Sequence, residues 1–304
     1  MSSFNPSTIA IATTTSYPRW YRGKLRSIKH TDKIRGDLAL IFVQKATEAE
    51  YQTIVADWKS AHTFRKTLSS IEKIILIILI KRRSSKSAPS KRQLIKKARR
   101  LNNVKVIILT EPEKVSLITD CVKQITFPIL ENKADIVVPK RNETLFRTHY
   151  PDYQYASEQE GNALYNEELR SHGLLPMNAD NFDMFFGPRA FANTKKVCSL
   201  FMRRYTLKMT NLKLFLRFFG IEAYSEVLFF PIIAALQKKI RVANIEVPFS
   251  YPHTQKLNEE KGSREFFIYK RKVQKFELLI ELLHFVSFLE KNPGSRIREK
   301  HNSI

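Results

Sequence analysis

Five short apolar runs punctuate the first half of the chain: residues 8–14 (TIAIATT), 51–55 (YQTIV), 74–80 (IILIILI), 104–110 (VKVIILT) and 134–139 (ADIVVP). Most have apolar, largely β-branched side chains at successive positions and so leave no face for solvent, the pattern of strands buried on both sides in a parallel sheet. Between them, apolar positions recur at helical spacing over residues 37–49, 62–71, 90–100 and 115–126. This alternation predicts an α/β fold: a doubly wound, mostly parallel sheet with helices on both faces. The second half is less regular. It predicts a helix over 157–172, a short aromatic strand over 181–189 (NFDMFFGPR) broken by Gly187 and Pro188, a helix over 223–236, a strand over 241–247, a Pro- and aromatic-rich loop over 248–255 and a long helix over 263–289. The polar tail 291–304 is expected to be disordered.

The stretch 104–114 (VKVIILTEPEK) stands out, because a buried run stops abruptly at Glu111 and Glu113, held one residue apart by Pro112. Proline cannot extend the ladder and pushes the preceding residue out of the helical region, so both carboxylates belong in a loop. Ligands of open α/β sheets lie just beyond the carboxyl ends of the strands, where an ion or phosphate would meet these two side chains. A helix start capped by Thr110, with both acids in its first turn, accounts for the same residues.

Charge narrows the partners. With 52 Lys and Arg against 29 Asp and Glu, a net charge of +23 and a pI near 10.0, the chain is matched to nucleotides, nucleic acid or a phospholipid surface. Ten of the basic residues, and no acid, fall within 81–100 (KRRSSKSAPSKRQLIKKARR). There a Ser-rich loop gives way to a helix with Lys91 and Arg92 in its first turn, an anion site by backbone dipole and by side-chain charge. A solvated basic face is the alternative. The hydroxyls of Thr13 and Thr14 end the first strand and Asp57 ends the second, where they are placed to hydrogen-bond a nucleotide or to make turns and caps. Two distant cysteines, Cys121 and Cys198, give no disulfide framework and suit a reducing, cytoplasmic setting. No secretory signal is visible at the N-terminus, and the isoleucine run 74–80 is too short to cross a bilayer. Residues 276–289 (FELLIELLHFVSFL) read as an amphipathic helix that packs on a core or lies on a membrane surface.

Taken in order, the Thr-ended first strand, Asp57, the PSKRQLI helix start, the acidic pair, the FFGPRAF block and FFPIIAALQKKIRVANIEVPFSYP resemble GT-A type nucleotide-sugar glycosyltransferases, most of all dolichyl-phosphate-mannose-synthase-like and glycosylglycerate-synthase-like members of family 2 type. The resemblance covers about residues 8–290. It implies one domain over 1–290: a nucleotide-sugar-binding half over 1–115, an acceptor half over 116–262 and a C-terminal helix over 263–290. It implies a hexosyltransferase using a UDP-, GDP- or ADP-sugar, with base and ribose near Thr13, Thr14 and Asp57 and the diphosphate near Lys91 and Arg92. In the family an Asp-x-Asp motif holds a divalent ion against the diphosphate. Here Glu111 and Glu113 stand in its place, with Mg²⁺ or Mn²⁺ as the expected ion and His253 as a further ligand. Asp183, Glu222 and Glu226 are the candidate catalytic bases. Arg189 is the candidate fork for an anionic acceptor, a lipid phosphate included, which would bring peripheral membrane contact. The segment 81–89 contains no glycine, whereas the family's phosphate loop is glycine-rich. A catalytically inactive GT-A-like binding or scaffold protein is therefore a second reading. A basic nucleic-acid-binding protein is a third, although no zinc spacing or recognition-helix signature accompanies the charge.

Overall fold

The computed structural model describes residues 4–78, 88–205 and 225–291. Seven strands, β1 (Ile9–Thr15), β2 (Gln52–Asp57), β3 (Ile74–Ile78), β4 (Val106–Thr110), β5 (Ile136–Arg141), β6 (Arg189–Ala192) and β7 (Val242–Val247), form one sheet in the order β3-β2-β1-β4-β6-β5-β7. The helices are α1 (Thr31–Glu48), α2 (His62–Ser69), α3 (Ala88–Ala98), α4 (Val122–Leu130), α5 (Glu143–His149), α6 (Asp152–Ser171), α7 (Lys195–Met202), α8 (Phe230–Gln237), α9 (His253–Leu257) and α10 (Arg264–Lys291).

The uniformly apolar strands divide their residues between two cores, because successive side chains leave a strand on opposite faces. Ala10, Ala12, Ile107, Leu109, Ile136 and Val138 pack under α3, α6, α7, α8 and α10. Ile9, Ile11, Val106, Ile108 and Val137 pack under α1, α2 and α4. Helices on both faces of a mostly parallel sheet are the arrangement the sequence predicts. The exception is β6, which runs antiparallel between β4 and β5. The aromatic strand expected over 181–189 is instead a 3-10 turn, Met184–Phe186, followed by Gly187 at φ +89°, and the strand begins only at Arg189. Met184 and Phe186 bury from a turn as completely as they would from a strand, so apolar alternation does not separate the two.

Wherever parallel strands end together, their carboxyl ends define one edge of the sheet. Thr15 pairs with Asp57 at the ends of β1 and β2, and Thr13 with Thr110 at the end of β4. That edge carries the candidate site.

Candidate functional site

β4 ends at Thr110, and Glu111 and Glu113 follow in a turn that precedes the helical turn Leu117–Cys121. The carboxylates therefore lie in a loop, not in the first turn of a regular helix. Two cavities meet there. The first, about 240 Å³, is lined by Thr14 and Thr15 at the end of β1, by Ser16 and Tyr17 after it, by Thr31, Asp32 and Arg35 of α1, by Trp58 after β2, by Ser90 and Lys91 of α3, and by Glu111, Pro112 and Glu113. The second, about 130 Å³, is walled by Lys114, Arg141, Glu158, Phe186, Gly187, Phe229, Phe249, Tyr251 and Arg271 among others. Glu111, Glu113 and Arg35 line both.

The two glutamates differ in how they are held. Glu113 Oε1 accepts a hydrogen bond from Tyr17 Oη at 3.0 Å. Burial, and then the charge of Glu113, hold the Tyr17 hydroxyl protonated well above its usual range, so it stays a donor. Among the described residues, Glu111 Oε2 is buried and accepts no hydrogen bond, and Lys114 Nζ forms an ion pair with it at 4.0 Å. Gly187 lies against this carboxylate so closely that a Cβ there would come within 2.8 Å of Oε2. On the other side Arg35 pairs with Glu259, Nη2 to Oε1, at 2.9 Å.

The second cavity is built on a buried ion network. Arg141 at the end of β5 donates from Nε and Nη2 to the two oxygens of Asp183, each at 2.7 Å, and from Nη1 to Glu158 Oε2 at 2.6 Å. Its guanidinium carbon lies 3.5 Å from the centre of the Phe146 ring. Burial by itself would raise the Asp183 pKa, but the Arg141 charge and the hydrogen bonds from Arg141 and Asn162 outweigh it and hold the carboxyl below its ordinary range. Among the described residues the Lys114 ammonium has no hydrogen-bond acceptor, its ion-pair contact with Glu111 being 4.0 Å long. It lies 4.9 Å from the Phe186 ring centre and 5.4 Å from that of Phe249, and burial lowers its pKa against the opposing pull of Glu111.

Of the expected donor-site residues, Thr14 and Lys91 line the first cavity beside the carboxylates. Thr13 is fully buried and donates from Oγ1 to the Thr110 carbonyl, joining β1 to β4. Asp57 is also fully buried, with Oδ1 accepting from the hydroxyls of Thr15 and Ser60, so it fixes the strand end that carries Thr15 and Trp58. Arg92 is not among the residues lining that cavity, and its charge acts on Tyr205 in the core beneath α3. Asp183 is committed to Arg141, as above. Arg189 is fully buried, and its guanidinium donates to three backbone carbonyls, those of Leu228, Pro188 and Met184. Burial pushes its pKa down to about 10. His253 is exposed at the start of α9, and it lines neither cavity, although its neighbours Pro252 and Gln255 line the second. No group of three or more His, Cys, Asp or Glu side chains is gathered as for a metal ion among the described residues. Glu226 belongs to the turn Ser225–Phe229, whose Leu228 and Phe229 wall the second cavity. Glu222 and the glycine-free loop through residue 87 lie outside the described residues, as does the tail from residue 292.

Sequence reasoning missed Tyr17, Arg35, Lys114, Arg141 and Glu158. Arg141 had a signal, a basic residue at the carboxyl end of a sheet strand, and Lys114 stands next to the acidic pair. Arg35 and Glu158 had none, because each reaches the site from the middle of a helix.

No protein-family model matches the chain, and no curated protein matches it. Among solved structures it is similar to glucosyl-3-phosphoglycerate synthase from Mycobacterium tuberculosis in complex with phosphoglyceric acid, at 10% identity over 88% of this chain and 80% of that one, with a TM-score of 0.46. A putative nucleotide-diphospho-sugar transferase from Desulfovibrio desulfuricans G20 is 9% identical over 91% of this chain and 98% of its own, with a TM-score of 0.39. The 4-diphosphocytidyl-2C-methyl-D-erythritol synthase from Anaerococcus prevotii DSM 20548 is 12% identical over 86% and 100%, with a TM-score of 0.40. The chain itself shows a seven-stranded, mostly parallel sheet with helices on both faces and a carboxylate pair in the turn after the central β4.

Proposed function

We propose that the protein is a divalent-metal-dependent glycosyltransferase that moves a hexose from a nucleotide-sugar in the first cavity to an anionic acceptor in the second. The observation that carries this reading is the position of Glu111, on the wall common to both cavities, with a buried oxygen that has no hydrogen-bond partner among the described residues. A buried, unsatisfied carboxylate oxygen costs free energy unless a ligand completes it.

The residues fit a hard cation. Mg²⁺ takes one or two carboxylates and fills its remaining positions with water and substrate phosphate, so Glu111 and Glu113 suffice without a third protein ligand. When bound, such an ion neutralises charge developing on a leaving diphosphate. Tyr17 holds Glu113 in place for this, and Gly187 leaves room for Glu111. Lys91, on the donor side, adds a positive charge near the phosphates. Thr14, Thr15 and Trp58 remain to meet the ribose and base.

On the acceptor side the ammonium of Lys114, with no hydrogen bond among the described residues, is the group that would receive a carboxylate or phosphate. Arg141 and Arg271 stiffen the wall behind it, the latter through a 3.2 Å contact with Glu158. Asp183 acts through Arg141 as a positioning residue, since a carboxylate with both oxygens paired and its pKa lowered is a weak proton acceptor. Glu226, on the turn that walls the acceptor cavity, is the proposed base.

Isothermal titration with UDP-, GDP- and ADP-sugars, with and without Mn²⁺, tests the donor half; absence of binding to all of them overturns it. Donor that binds but is neither hydrolysed nor transferred to any phosphorylated or carboxylated acceptor identifies a binding protein instead.

A further inference from the structure

The outer face of α10 carries a feature that the transferase reading does not use. Phe266, Tyr269, Val273, Phe276, Ile280 and Leu283 follow one another at steps of three and four residues, the spacing of a coiled-coil seam. Phe266 is 62% exposed, Tyr269 60%, Phe276 60% and Leu283 51%, while the opposite side of the same helix is buried through Phe267, Leu278, Leu282 and Phe285. At roughly 1.5 Å per residue the seam is about 27 Å long.

We infer that α10 pairs in parallel with α10 of a second copy of this chain. Three properties of the stripe select that occupant. Its spacing is the strict two-in-seven repeat of a helix–helix seam; a helix lying on lipid presents a broader apolar face. The first heptad position carries Phe266, Val273 and Ile280 and the fourth Tyr269, Phe276 and Leu283, so the C-terminal half of the seam, β-branched at the first position and Leu283 at the fourth, has the distribution that favours two parallel strands. Exposed Glu265 and Lys270 occupy the flanking positions, five residues apart, that face each other across such a seam, so each copy's Glu265 meets the other's Lys270. Lys270 also lines the acceptor cavity, so pairing sets a carboxylate of the second copy at the rim of each site.

Sedimentation equilibrium of the full chain tests the pairing. The expected species has twice the 35.5 kDa chain mass. Phe276→Glu places a charge in the seam and is expected to abolish association while leaving the thermal melt of the subunit near the monomer baseline. Glu265→Lys turns two symmetry-related attractions into repulsions and is expected to weaken association by roughly tenfold, with recovery in Glu265→Lys/Lys270→Glu. A wild-type chain that stays monomeric at about 100 µM overturns the inference, whether or not it pellets with phosphatidylserine vesicles. So does a dimer that neither Phe276→Glu nor Glu265→Lys weakens.

Discussion

Replacing Arg141 by leucine probes the ion network that shapes the second cavity. The side chain is 1% exposed, and its removal leaves Asp183 and Glu158, 6% and 4% exposed, without their shared cation. Three side-chain hydrogen bonds of 2.6 to 2.7 Å are lost together with the stacking on Phe146. Breaking a buried pair from one side costs about 3–5 kcal/mol at neutral pH, because the remaining charge is uncompensated. Asn162 still donates to Asp183, and Gln154 and Arg271 still reach Glu158, which places the expected loss near the lower end of that range. Acid should shrink the difference. In the wild type the Asp183 pKa is lowered, so its contribution is fully present above the unfolded carboxyl value of about 3.9 and is lost as the pH falls through the folded one. In the variant the Arg141 charge is gone, Asn162 and the backbone N–H of residue 141, 3.2 Å from Asp183 Oδ2, remain, burial raises the pKa, and the carboxyl escapes its penalty by protonating as the solution becomes acidic. Urea unfolding of both proteins at pH 7 and pH 4.5 measures this. A destabilisation below about 1 kcal/mol at pH 7, or one that grows toward acid, would refute the reasoning.

Glu111→Gln and Glu113→Gln should each weaken Mn²⁺-dependent nucleotide binding by tenfold or more, about 1.4 kcal/mol, and leave metal-free binding nearly unchanged; calorimetry with and without EDTA reads both. Lys114→Met keeps the apolar stem and removes the charge, so it should raise the acceptor KM by roughly tenfold to a hundredfold while donor affinity stays at the wild-type value, as steady-state kinetics against each substrate would show. Gly187→Ala should destabilise the fold by about 1–3 kcal/mol, because its φ of +89° is strained for any L side chain, and should reduce metal affinity because the new methyl meets the Glu111 carboxylate 2.8 Å away. A thermal melt and a Mn²⁺ titration separate the two effects.

The sequence determined the architecture where burial is local and periodic. The parallel strands before residue 140 and most of their helices lie within a few residues of their predicted places, since a strand covered on both faces has to be apolar at successive positions and few other elements are. The acidic turn after β4 was legible for the same reason, because Pro112 ends the run and strand ends are where ligands bind. Tertiary structure alone decided the rest. The antiparallel β6, only four residues long, takes its place through partners far away in the chain, Val106 with Ala192 and Ile136 with Phe191. Asp183 and Arg189 have the residue types of a base and an anion fork, but whether a charged side chain meets substrate depends on what is packed around it. Here a buried arginine 42 positions away captures the first, and three carbonyls capture the second. Charge identity is written in the sequence. The pairing of those charges is a property of three-dimensional proximity, and the low dielectric of the interior makes that pairing strong enough to set each group's role.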